Sequence, residues 1–136
     1  MEEEIHILRY SSLIFLTNVF FGIWYNLYLY ALLFLLLTFS SVMVHTEDTL
    51  FINIVDKIII FLIFLYGFNR LYYNNYNYNY NLLILIVSTF LFCIVVYIYG
   101  FFNKCFCFDE CENVAQCYHA SMHLIGSFGH HLLLLI

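Results

Sequence analysis

Two histidines four residues apart, His119 and His123, stand in a stretch that is otherwise mainly apolar, from Cys117 to Ile136. On an α-helix such a pair shares one face and can grip a single metal ion. A histidine inside a membrane helix is costly to bury and needs a partner, which in the plainest case is a hydrogen bond to a backbone carbonyl. The chain holds better partners. Ser41 and His45 are again four apart, and Asp56 is the only carboxylate inside a predicted span. Three neutral imidazoles that leave a fourth position for water make a zinc site of the catalytic type, so His45, His119 and His123 are the expected metal ligands. Zinc lowers the pKa of its bound water to about 7 and so supplies a nucleophile at neutral pH. Asp56 is suited to hold and deprotonate that water, or to orient a ligand histidine. Ser41 is suited to donate a hydrogen bond to a developing oxyanion.

The elements that must position these residues follow from composition. The chain has 136 residues, 65% hydrophobic and 10% charged, with no proline. Soluble domains average about 45–50% apolar and about 25% charged. The apolar runs approach the roughly 20 residues that cross a bilayer as a helix. The expected fold is all-α, a single polytopic transmembrane bundle of about five spans over residues 5–23, 27–45, 50–69, 82–101 and 115–136. A four-span alternative merges the first two into one tilted helix over residues 11–44. The break between them is expected at Gly22 to Asn26, where Trp24 and Tyr25 suit an interface. Arg9 is expected to snorkel. Residues 72–81 alternate tyrosine and asparagine and read as a polar connector, and residues 102–116 as a cysteine-rich acidic loop. No cleaved signal peptide is expected, because Glu2, Glu3 and Glu4 stand where a basic region belongs. The net charge of −5 is carried by loops and the N-terminus, with no basic stripe, so nucleic acid is not an expected partner.

Span order tests the site. The end of the second span and the start of the third share a membrane side. The third span crosses, the fourth returns, and the fifth starts on that same side. Ser41, His45, Asp56, His119 and His123 therefore fall at one leaflet, in the four-span arrangement as well.

The remaining polar residues have plainer readings. Cys105, Cys107, Cys111 and Cys117 are spaced C-x-C-x3-C-x5-C, which matches no zinc motif. They pair as disulfides in an oxidising compartment and stay free in the cytosol. Cys93 reads as packing, Gly126 and Gly129 as close-approach positions, and His6 as interfacial. His130 shares the face of His123 about two turns deeper, as a donor to a ligand or as a polar contact in the bundle interior.

The stretch Phe39-Ser-Ser41-Val-Met-Val-His45 through Asp56 has the pattern Ser-x3-His-x10-Asp, and His119-x3-His123 is followed by Leu-Ile-Gly-Ser-Phe-Gly. This resembles the alkaline ceramidases and the wider CREST superfamily of membrane hydrolases. The resemblance covers residues 39–56 and 117–130. It implies a seven-helix fold in which a serine, an aspartate and three histidines surround zinc and hydrolyse an amide or ester bond of a lipid. Ser41, His45, Asp56, His119 and His123 fill those positions in order. The chain is shorter by about two helices between Asp56 and His119, a reduced version of that fold, and an even number lost keeps the site on one side. The family's N-terminal calcium site has no matching pattern here. The resemblance further implies an integral membrane protein of the endoplasmic reticulum, Golgi or plasma membrane.

The expected function is thus a zinc-dependent lipid hydrolase acting on an amide or ester bond of a ceramide-like substrate. Two alternatives stand beside it: a receptor or binding protein of the same fold without turnover, and a metal-free structural subunit of a membrane complex.

Overall fold

The computed structural model describes residues 2–47, 49–73 and 79–136. Among these the chain is helical, with no strand. The helices are α1 (Glu2–Ser12), α2 (Phe15–Trp24), α3 (Tyr28–Val44), α4 (Leu50–Tyr73), α5 (Tyr80–Ile94), α6 (Gly100–Asn103) and α7 (Glu112–Leu133). A π-helical segment, Val95–Tyr99, joins α5 to α6 without a break, and a 3-10 turn follows at Phe106–Phe108. The chain makes five helical passes, because α1 and α2 together form one and α5 with α6 another. Three stretches are long and apolar enough to cross a membrane: Ile7–Trp24, Leu50–Tyr73 and Tyr80–Phe108.

The first pass departs from the single helix expected over residues 5–23. Its break at Leu13 and Ile14 has a local cause. Ser11 and Ser12 donate their hydroxyl protons to the Leu8 carbonyl at 2.9 and 2.8 Å, and Thr17 donates to Ile14 at 2.7 Å. Hydroxyls that bond back in this way compete with the helical ladder. The amides of Leu13 and Ile14 tighten to carbonyls three residues back, on Tyr10 and Ser11.

The break after α2 falls within Gly22 to Asn26, so the merged helix over residues 11–44 does not form. Asn26 takes a left-handed φ of 59°, which asparagine tolerates better than most residues. The Leu27 amide then bonds the Gly22 carbonyl at 2.7 Å. A Cβ at Gly22 would lie 2.8 Å from Cδ1 of Tyr30, so only glycine lets α2 and α3 approach this closely.

The tyrosine–asparagine connector is shorter than expected. Tyr72 and Tyr73 complete α4, and Asn79 caps α5 by accepting the Asn81 amide at 3.1 Å. Residues 74–78 of that connector lie outside the described residues. The loop expected over 102–116 is also shorter, because α7 begins at Glu112. All five cysteines are free thiols.

Helix α7 is the axis of the bundle, packed against α1, α2, α4 and α5. Phe15, Phe34, Leu37, Ile59 and Ile63 form one buried cluster, and Ile86, Leu132 and Leu133 a second. Large apolar side chains such as Phe61, Phe68, Leu91 and Phe102 face outward. A set of polar ones, Ser12, Asn18, Thr38, Ser127 and others, is buried. Asn18 donates to the Tyr30 hydroxyl at 2.9 Å and to the Ser127 carbonyl at 3.2 Å, and it accepts from the Ser127 hydroxyl. Arg9 reaches the end of α3. Its Nε donates to the His45 carbonyl at 3.1 Å. Arg70 likewise donates to the Leu133 carbonyl at 3.0 Å, so a guanidinium satisfies a terminal carbonyl of α3 and another of α7.

Candidate metal centre

His45 caps the C-terminus of α3, its amide bonded to the Ser41 carbonyl at 3.2 Å. His119 and His123 lie one turn apart on α7. The ring centroids are 4.9 Å apart for His45 and His119, 5.6 Å for His45 and His123, and 4.9 Å for His119 and His123. Among the described residues these three form a group in which one ligating atom from each lies within 4.8 Å of the others.

Hydrogen bonds select which nitrogen of His123 can ligate. Ser11 Oγ lies 2.8 Å from His123 Nδ1. The only hydroxyl proton of Ser11 goes to the Leu8 carbonyl, so the serine accepts and Nδ1 carries the hydrogen. Nε2 keeps its lone pair. This is the arrangement that fixes the tautomer of a metal-binding histidine. The donor set fits zinc, since three imidazoles that leave a position open match a catalytic shell, with zinc–nitrogen bonds of about 2.0–2.1 Å.

Asp56 and Ser41 lie on the wall of an adjoining cavity of about 270 Å³, as do His119, His123 and Lys57. The rest of the lining is mainly apolar, with Phe34, Ile60, Ile63, Phe64, Ile94 and Ile98 prominent. Asp56 is only 4% exposed. Its Oδ1 accepts from Ser40 at 2.8 Å and its Oδ2 pairs with Lys57 Nζ at 3.0 Å. Ser41 is tied elsewhere. Its Oγ is 2.8 Å from that of Ser12. Because Ser12 donates to Leu8, Ser41 is the donor in this pair. Its proton therefore points at Ser12 of α1, where an oxyanion was the expected acceptor.

Four residues beyond the expected set thus belong to the site: Ser11, Ser12, Ser40 and Lys57. Ser40 and Lys57 flank expected residues and could have been found by proximity. The serine pair of α1 carries only the weak signal of two adjacent hydroxyls in an apolar helix.

One of the plainer readings also resolves. A Cβ at Gly129 would collide with the Thr89 side chain, so α5 and α7 meet closely there. His131 Nε2 lies 2.8 Å from Thr17 Oγ1, a hydroxyl already donating to Ile14, so the imidazole is the donor.

Comparison of the chain with protein-family models, curated proteins and solved structures finds no match.

Proposed function

We propose that the chain is a polytopic membrane metallohydrolase that cleaves an amide or ester bond of a lipid, with zinc held by His45, His119 and His123. The observation that carries this reading is the meeting of three imidazoles from α3 and α7 beside an apolar cavity that also holds a buried carboxylate. The membrane part is supported by three helices of sufficient length and apolarity, and by apolar outer faces over a polar interior. The resemblance to the alkaline ceramidases through Ser41, His45, Asp56, His119 and His123 points the same way.

When bound, zinc would supply Lewis acidity, acidifying a water molecule and polarising a carbonyl. The chain's own residues do the rest. Asp56, fixed by Ser40 and Lys57, takes the proton of the attacking water and returns it to the departing amine or alkoxide. The bond from water oxygen to carbonyl carbon forms as the carbon–nitrogen or carbon–oxygen bond breaks. The apolar wall holds the acyl chain and excludes water. Ser41 ties α3 to α1 and keeps His45 in position.

A second reading has one observation in its favour. Both oxygens of Asp56 are already engaged, which suits a binding protein of the same design without turnover. Metal analysis of the purified protein followed by hydrolysis of a lipid amide panel separates the readings. Zinc with turnover supports the hydrolase, zinc without turnover the binding protein, and a stable metal-free protein sinks both.

A further inference from the structure

Lys57 follows Asp56 directly on α4. Successive side chains of a helix point about 100° apart and do not ordinarily meet. The Lys57 side chain nevertheless folds back. Its ammonium lies 3.0 Å from Oδ2 of Asp56 and 5.5 Å from the centre of the Tyr97 ring. All three residues line the cavity beside the histidine cluster. Lys57 and Tyr97 also line a groove outside it, with Asn53, Ile54, Ile58 and Phe61, so the lysine stands at the lip between the two.

Unlike the buried carboxylate it pairs with, the Lys57 side chain is 41% exposed, and a molecule in the cavity or the groove can reach it. Among the described residues its ammonium donates to Asp56 alone, which leaves two of its three donors open. Its charge also acts on the rings of His119 and His123, so it belongs to the same end of the cavity. An ammonium among apolar walls is costly unless its donors are engaged, and an entering anion engages them with a charge-assisted bond. Position narrows the anion further. On the proposed mechanism Asp56 hands a proton to the departing nitrogen. A ligand group bonded to the ammonium beside that carboxylate therefore lies near the same nitrogen, on the leaving side of the scissile bond.

We propose that Lys57 binds an acidic group on the leaving side of the amide, so that the substrate class is an N-acyl amino acid. This deepens the lipid-hydrolase reading and rests on it for the direction in which the substrate lies. Water oxygen bonds the acyl carbon, the carbon–nitrogen bond breaks, and the proton of the water passes by way of Asp56 to nitrogen. The products are a fatty acid and an amino acid. A site that offers a charged donor discriminates against the analogue whose acidic group is missing.

The test is equilibrium binding to the purified full chain in nonionic detergent micelles, by calorimetric titration. The probes are N-decanoylglycine, its neutral isostere N-decanoylglycinamide, and the monoamide of decanedioic acid, which carries its carboxylate at the far end of the chain. N-decanoylglycine is expected to bind about tenfold more tightly than the glycinamide, and the far-end acid to show no such gain. Lys57→Gln is expected to lose the gain and Lys57→Arg to keep part of it. The double variant Lys57→Gln with Asp56→Asn has the net charge of the unaltered protein and no uncompensated buried carboxylate. It is expected to lose the gain as well, whereas a lysine that only neutralised Asp56 would let the gain return. Equal affinities for the glycine and glycinamide probes in the unaltered protein, an equal gain for the far-end acid, a gain that survives in Lys57→Gln or in the double variant, or no saturable binding overturns the proposal. The readout is binding, so a protein that shows the ratio but never cleaves N-decanoylglycine overturns the hydrolase reading alone.

Discussion

The Ser11 hydroxyl lies 2.8 Å from Nδ1 of His123, across 112 residues of sequence, and accepts its hydrogen. A side chain of the first helix thereby decides which face of an imidazole in the seventh is free to ligate. Replacing Ser11 by alanine removes that support and leaves His123 in place. Loss of a partner of this kind typically weakens metal binding 10–100-fold. Competition with a calibrated zinc chelator measures it, and an unchanged affinity would remove Ser11 from the site.

Substitution of His119 by alanine is expected to abolish stoichiometric zinc while the helical content, read by circular dichroism, stays the same. The ring lies beside the cavity and against His45 and His123, so the loss falls on the metal more than on packing.

Asp56→Asn separates binding from chemistry. Zinc content should persist, and hydrolysis of a lipid amide should fall by about 10²–10⁴-fold, the usual worth of a positioned base. Ser40→Ala removes a hydrogen bond to the same carboxylate, which for a charged acceptor is worth about 1.5–3 kcal/mol. Thermal unfolding and turnover should both register that change.

Zinc affinity should rise with pH. Each imidazole must be unprotonated to ligate, so the bound form holds fewer protons than the free protein, and acid competes for the same lone pairs. A titration from acid to neutral pH that showed constant affinity would exclude a shell of three histidines.

The close approach of α5 and α7 is tested at Gly129. Alanine there drives a methyl group into Thr89, and overpacking of this type costs about 1–3 kcal/mol. Thr89→Ala in the same chain should recover most of the loss, a coupling that a double-mutant cycle resolves.

The parts of the site that follow helical periodicity were legible in the sequence. His119 and His123 announce themselves by spacing, and span order carries Ser41, His45 and Asp56 to the same end. The hydrogen-bond partners were not legible. The direction of the Ser41 proton depends on Ser12, and Ser12 reaches it because hydroxyl back-bonding breaks the first pass at Leu13 and Ile14. Arg9 resembles a snorkelling cation in an isolated helix, and only the neighbouring end of α3 makes it a cap for His45. The tyrosine–asparagine run hid two helix ends, because low complexity masks an asparagine cap such as Asn79.

The centrality of α7 sets an order of events. Ser11, Thr17 and Asn18 in the first pass all take partners on α7, at His123, His131 and Ser127, and α7 is the last described helix to leave the ribosome. Until it arrives, these three side chains lack their partners on α7, although Asn18 can already bond Tyr30 of α3, and His45 lacks His119 and His123. Interhelical bonds in lipid are worth about 0.6 kcal/mol each on average, so no one of them locks the bundle. On the proposed reading, the centre of His45, His119 and His123 cannot assemble before α7 has docked, so metal uptake would report that docking.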